Sequence, residues 1–408
     1  MLPVAKIRED FPILSTKIDG RPLIYLDNAA TMQVPLCVLE RLRSHYLHDN
    51  ANIHRGIYTL SERSTQAYED ARITVRDFLG ADSKEEIVFT QGATDSINMA
   101  ADGLRETLHI NDMIVITELE HHSNFLPWQR LCHRTGATFA IIPCPDGMPD
   151  MEAYKKILSQ NPKLVAVTQV SNLTGTVMPL GEMTRLAHEA GAVIFVDGAQ
   201  GIRHCDTHVS AEDYDFYCFS GHKIMGPAGI GVLYGKRRLL EMLKPSRLGG
   251  GMVGTVTGQD FTEAPLPYRL EAGTPNYPGA IALAEAIRYI DRLGRKAIAD
   301  YENMLVDYAV EKLSEVAGLH VLGHPVNRAG VVSFVLDTMH PYDAASILDK
   351  LGVAIRSGTH CAQPALQRFG VTAALRLSPA FYNTRAEIDE ACLAIRQTQD
   401  LMSRWIKK

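Results

Sequence analysis

The chain has 408 residues, 46% of them hydrophobic and 22% charged, with a formal net charge of −6. This is the balance of a soluble globular protein with core enough for two domains. The acidic average argues against a nucleic-acid partner or an anionic membrane surface. No stretch approaches the roughly 18 apolar residues of a membrane span, and residues 1–10 contain no apolar signal core. The seven cysteines are an odd number without a C-x-x-C pair, and read as reduced thiols of a cytoplasmic protein.

Apolar runs of strand length stand at 87–90, 114–117, 165–170, 193–196 and 216–219, and most of the segments between them have helical character. Continuous apolar strands separated by helices predict a mainly parallel sheet covered on both faces, an α/β fold. Ligands of such sheets bind outside the carboxyl ends of the strands. From Gly249 the chain turns polar, and a loop or hairpin is expected as far as Asn276. The G-x-G-x-x-G match at 249–254 follows no strand and opens no helix, so it is discounted as a dinucleotide fingerprint. A long helix over 280–292 leads to a smaller α+β part. That part is predicted as a helix at 301–316, a strand at 330–336, a helix at 342–351, a short strand at 353–356 and a last helix from Ala386, which Thr384 and Glu387 cap as a box.

The strand ends carry the chemistry. Gln91-Gly92-Ala93-Thr94 opens a helix after the first run, and reads either as a phosphate cup or as an ordinary capped start. Glu118, Glu120, His121 and His122 follow the second run. His121 there reads either as a ring that stacks on a flat cofactor or as a solvated histidine. Ser171 and Asn172 follow the third. Asp197 follows the fourth, with Gln200 nearby, and is either a helix cap or the partner of a protonated heterocycle. The fifth run leads to Ser220, His222 and Lys223. An acid and a lysine at the mouths of two strands are the pair that pyridoxal phosphate requires, the lysine for the Schiff base and the acid for the pyridine nitrogen. No metal site is read: His121 and His122 lack a chelating partner, and His204-Cys205-Asp206-Thr207-His208 lacks further ligands. In Arg356-Ser357-Gly358-Thr359-His360-Cys361-Ala362-Gln363-Pro364, the cysteine beside a histidine and near an arginine predicts an electropositive setting that generates thiolate. Arg376 interrupts an apolar stretch and wants a carboxylate, either the substrate's or an internal one.

In this order the segments resemble the class-V aminotransferase-like enzymes, and within them the SUF-type (group II) cysteine desulfurases. The resemblance runs from Ile7-Arg8-Glu9-Asp10-Phe11-Pro12 through Tyr25–Thr31, His54-Arg55-Gly56, Glu120–Asn124, Val196–Gln200, Ser220–Lys223 and Glu271–Asn276 to the R-x-G-x-H-C-A-x-P loop, its most specific part. It implies a fold-type-I pyridoxal-phosphate transferase with a seven-stranded, mainly parallel sheet. The large domain would be residues 23–289, and a small domain of 1–22 with 290–408 would carry the cysteine loop. It implies Lys223 as the Schiff-base lysine, Asp197 on the pyridine nitrogen, Gln200 near the ring oxygen and His121 on the ring. Thr94, Ser220, His222 and the Ala93 position form the phosphate cup, and a second subunit lends Thr274. Asn172 and Arg376 meet the substrate carboxylate, Arg356, Ala29 and His54 complete the substrate group, and Cys361 receives sulfur. The implied partners are L-cysteine, a second copy of the chain and a SUF-type acceptor protein. Two departures stand out: Ala93 replaces a hydroxyl residue, and Thr359 stands where relatives often carry histidine. The rival readings are a selenocysteine lyase on the same scaffold, an aminotransferase that leaves Cys361 without a role, and a silent sulfur-carrier paralogue.

Overall fold

Alternate residues of the central strands enter two different cores, which is why their sequence is apolar without interruption. Val165, Val167, Ile194, Val196, Tyr217 and Phe219 pack on one face, and Leu164, Ala166, Phe195, Phe216 and Cys218 on the other. The computed structural model describes residues 2–406; Met1, Lys407 and Lys408, which the expected small domain includes, lie outside the described residues. Seven strands form the main sheet: β1 (Ile87–Thr90), β2 (Met113–Thr117), β3 (Thr138–Ile142), β4 (Leu164–Thr168), β5 (Val193–Asp197), β6 (Phe216–Ser220) and β7 (Gly231–Gly235). Their order is β1-β7-β6-β5-β4-β2-β3. Neighbours from β6 to β3 run parallel, and β7 runs antiparallel to both β1 and β6.

The sequence reading lacked β3 and β7. The predicted run 165–170 ends as a strand at Thr168, and Asp197 and Ser220 are the last residues of their strands rather than the first residues beyond them. Gly231 opens β7 opposite both Thr90 and Ser220. A side chain there would put its Cβ 2.3 Å from the Cα of Gly92, so only glycine lets β7 start against the turn that precedes the helix Ala93–Gly103.

The polar stretch after Gly249 forms an exposed hairpin, Val253–Val256 with Phe261–Glu263. The chain then enters the helix Tyr277–Leu293, turns at Gly294 (φ 88°) and continues as the helix Arg295–Ser314. Beyond it lies an antiparallel four-stranded sheet of β8 (Leu319–Val321), β9 (Val332–Leu336), β10 (Arg356–Gly358) and β11 (Ala374–Leu377), in the order β8-β9-β11-β10. It has its own core, in which Leu305, Phe334, Leu348, Leu375 and Ile395 are buried. The single strand expected at 353–356 is two strands. Val353–Ala354 pairs in parallel with Ile24–Tyr25, and Arg356 begins β10. Leu26 is buried in this smaller core and Ile24 packs against it, although both were expected in the large domain, whereas Tyr25 packs against the larger core. The last helix, Arg385–Ile406, starts with the expected box: Thr384 N–H donates to Glu387 Oε2 (2.8 Å), and Glu387 N–H to Thr384 Oγ1 (3.2 Å).

Two buried ionic clusters tie distant segments. Arg72 is fully buried and forks onto Glu271 through Nη1 (2.7 Å) and Nη2 (3.0 Å), fixing the Glu271–Asn276 segment against β1. Removing one partner of such a pair strands the other charge, so Glu271→Ala is expected to lower stability by about 3–5 kcal/mol, read from the midpoint of a denaturant titration. The second cluster joins the two sheets. Glu302, on the helix Arg295–Ser314, lies 3.0 Å from His204 and 3.4 Å from Arg203, and its other oxygen accepts Phe381 N–H at 3.0 Å. His204 is thus paired with a carboxylate in the core, while His208 pairs with Asp206 at the surface. Among the described residues no helix is long and apolar enough to cross a membrane.

Candidate active site

The carboxyl ends of β1, β2, β4, β5 and β6 meet the second sheet around a cavity of about 240 Å³. Lys223, Asp197, Gln200, His121, Thr94, Ala93, Ser220 and His222 line it from the large sheet's side. Arg356, Arg376 and Cys361 line it from the second sheet and the loop after β10, and Asn172 and Ala29 complete the lining. Thr274 and His54 do not line this cavity. Thr274 is exposed, and His54 lies 3.4 Å from Glu69 with its ring against Tyr68 and Tyr268.

Lys223 follows β6 on a one-turn 3₁₀ segment, Gly221–Ile224, and Asp197 ends the neighbouring strand opposite Cys218. One oxygen of Asp197 accepts Ala199 N–H at 2.9 Å. Burial pushes the Asp197 carboxyl up, with the Ala199 bond and Lys223 opposing. It also pushes Lys223 down to about 8, with Asp197 opposing. A buried carboxylate facing a cavity needs a cationic partner, and a protonated pyridine nitrogen is one. Half of the Lys223 amine is therefore neutral, and nucleophilic, near pH 8. Attachment of added pyridoxal phosphate to cofactor-free protein is expected to accelerate as the pH rises from 7 to 9 and to level off above, followed by absorbance.

The helix Ala93–Gly103 points its N-terminus at the cavity, where free N–H groups and the positive dipole end favour an anion. Ala93 N–H reaches Ser220 Oγ (2.8 Å), and Thr94 Oγ1 lies 2.6 Å from Ser123 Oγ. The hydroxyl absent at position 93 leaves its backbone donor in place. Burial and Lys223 lower His222 to about 4, so its imidazole is neutral near pH 7. His121 is lowered to about 3, first by burial and then by Lys223, and its Nδ1 accepts Ser123 N–H at 3.1 Å. That bond fixes the ring. Beneath it, fully buried Glu120 joins the mouths of β2 and β4. It accepts from Thr117 Oγ1 (2.6 Å) and Thr168 N–H (3.1 Å), and from Asn124 Nδ2 (2.7 Å). Gln200 is held by donating to Ala29 O (2.8 Å).

Arg376 meets an internal carboxylate, that of Asp27, and keeps one buried donor unpaired. Its Nη1 donates to Asn172 O (3.0 Å) and its Nη2 to Asp27 (3.2 Å), while its buried Nε has no partner. Arg356 on β10 stands directly opposite Arg376 on β11, and Asp27 lies between the two like charges. Asp27 was given no role from the sequence, although it follows four apolar residues, Leu23–Leu26, as Asp197 does. Asn172 donates Nδ2 to His360 O (2.7 Å) and leaves Oδ1 without a partner. As oriented it offers a carboxylate no donor; Arg376 does.

The cysteine loop departs from expectation in one respect. His360 is buried, and burial together with Arg376 lowers it to about 3, so it adds no positive charge beside Cys361. The cationic groups that share the cavity lining with Cys361 on this side are Arg356 and Arg376. The His360 ring shares a hydrogen bond with Ala374 O (2.9 Å), which places the proton on Nε2 and leaves Nδ1 bare. Cys361 is exposed at the cavity wall.

The buried acid and amine, the helix N-terminus and the free guanidinium nitrogen match the pyridine nitrogen, aldehyde and phosphate of pyridoxal phosphate and the carboxylate of an amino acid. The class-V aminotransferase profile matches residues 24–391. A curated cysteine desulfurase from Dickeya dadantii is 46% identical over 403 residues, 98% of this chain and 98% of its own length. One from Synechococcus elongatus is 46% identical over 398 residues, 97% of this chain, and the chain spans 64% of that relative's length. The solved apo structure of cysteine desulfurase from Thermococcus onnurineus superposes with a TM-score of 0.92 at 39% identity, over 97% of this chain and 98% of that one. The chain belongs to the class-V aminotransferase family, pyridoxal-phosphate enzymes of fold type I, and within it groups with the cysteine desulfurases.

Proposed function

We propose that the protein converts L-cysteine to L-alanine and takes the sulfur onto Cys361 as a persulfide. One observation carries this reading: Lys223 and Cys361 line the same cavity from opposite walls, one on the large sheet and one on the loop after β10. Pyridoxal phosphate, when bound, supplies an electron sink joined to the substrate's Cα. Asp197 holds the ring nitrogen protonated, His121 covers the ring, and Thr94, Ser220 and His222 hold the phosphate, with Ala93 N–H fixing the Ser220 hydroxyl. The free Nε of Arg376 orients the substrate carboxylate, with Arg356 adding charge at the mouth. Lys223 takes and returns the proton at Cα. The Cys361 thiolate then accepts the substrate sulfur. A C–S bond breaks, an S–S bond forms, and cysteine plus thiol becomes alanine plus persulfide without an outside oxidant or reductant.

The exposure of Cys361 supports handover to a thiol of an acceptor protein. The resemblance of its loop assigns that acceptor to the SUF type, and the sulfur to iron–sulfur cluster assembly. We place the enzyme in the cytosol, where its seven free cysteines stay reduced. We assign a homodimer on the apolar face that Leu36, Leu39, Tyr46 and Leu47 leave exposed on one helix, beside Ile57 and Tyr58. Thr274 and His54, outside the chain's own cavity, then serve the partner's. The division into 23–289 and 1–22 with 290–408 makes each domain one wall of the site.

The test is mass spectrometry after addition of L-cysteine. Extra sulfur on the Cys361 peptide together with alanine in solution is the expected result. Alanine without modified Cys361, or modification without alanine, overturns the reading.

A further inference from the structure

His360 and Cys361 both lie at positive φ, 51° and 52°. Non-glycine residues in that region cost about 1–3 kcal/mol each and persist only where their surroundings over-determine them. Four contacts do so here. Asn172 Nδ2 donates to His360 O (2.7 Å), and the His360 ring is bonded to Ala374 O (2.9 Å). The other two come from one residue. His122 N–H donates to Cys361 O (2.7 Å), and His122 Nε2 accepts Gln363 N–H (3.2 Å). His122 thus grips the chain at Cys361 itself and two residues beyond it. Burial lowers its pKa, so near neutral pH Nε2 is free to accept. Its ring is not among the groups that line the cavity, whereas its neighbour His121 lines it directly. Adjacent residues of one strand mouth therefore serve opposite walls of the site.

We propose that His122 is a positioning residue for Cys361: by accepting Gln363 N–H it holds the cysteine loop in the left-handed conformation that brings the thiol to the cavity. The proposal rests on the reading of Cys361 as the sulfur acceptor. His122→Phe keeps a ring and removes the acceptor nitrogen, and His122→Gln restores an acceptor. The holoenzymes are compared by cofactor absorbance, by cysteine turnover, and by the alkylation rate of Cys361 with iodoacetamide, followed on its peptide.

For His122→Phe, loss of one hydrogen bond predicts a fall in kcat of about tenfold, with KM and cofactor absorbance unchanged. The freed loop alkylates at least about threefold faster, as expected when a contact worth a factor of this order is lost. His122→Gln returns both values towards those of the parent. Unchanged alkylation in His122→Phe, or loss of activity together with cofactor absorbance, or failure of glutamine to rescue, overturns the proposal. The functional reading fails separately: normal turnover by Cys361→Ser would refute it, whatever alkylation shows for His122.

Discussion

Lys223→Ala is expected to reduce alanine formation from cysteine by on the order of 10⁴-fold or more, because both the covalent anchor and the proton carrier are lost at once. Among the described residues Lys223 is the only lysine that lines the cavity, so no neighbouring amine there can substitute. His121 and His222 are both held neutral, but each already has a task, His121 through its bond to Ser123 and His222 at the phosphate cup. The variant should still take up pyridoxal phosphate through Asp197 and the helix N-terminus, without the absorbance of the lysine-bound form. Equilibrium dialysis with the free cofactor and an alanine assay measure the two effects separately. Residual turnover within tenfold of the parent would remove Lys223 from the chemistry.

The second large effect is expected for Cys361→Ser. Loss of the nucleophile should slow alanine release from cysteine by on the order of 10³-fold, since a serine hydroxyl is scarcely ionised and attacks sulfur poorly. Cofactor absorbance should not change, because Cys361 belongs to the wall built by the second sheet. With L-selenocysteine the same variant should lose much less, selenium being the better leaving atom. Comparing the two substrates, in parent and variant, decides between a cysteine desulfurase and a selenocysteine lyase. Equal losses on both would favour one shared route through Cys361.

The strands legible in the sequence were those buried on both faces. The missed β3 lies at the sheet's edge and is only partly buried, with Thr138 and Ile141 exposed, although Phe139–Ile142 is a continuous apolar run. The missed β7 is apolar throughout, but glycines at both ends disguise it as loop. Val353–Ala354 and Arg356–Gly358 merged in the sequence because their partners, Ile24–Tyr25 and Ala374–Leu377, are set only by the tertiary fold. Asp197, Lys223 and Arg376 could be read because a charge at the end of, or within, an apolar run needs a reason. His360 was misread for the converse reason: adjacency to a cysteine says nothing about burial, and burial makes it neutral. Arg72 and Glu271 are 199 positions apart, and neither breaks a pattern that would announce the other.

The reacting groups are thus divided between two sheets, and the buried contact of Glu302 with Arg203 and His204 fixes how those sheets meet. That gives the protein a modular chemistry. The large sheet can keep its cofactor machinery unchanged while insertions or exchanges in the loop after β10 redefine what leaves the substrate and where it goes. It also separates two kinds of evolutionary drift. Changes around Lys223 alter whether any reaction occurs. Changes in the loop after β10 alter the wall that carries Cys361 and leave that machinery in place.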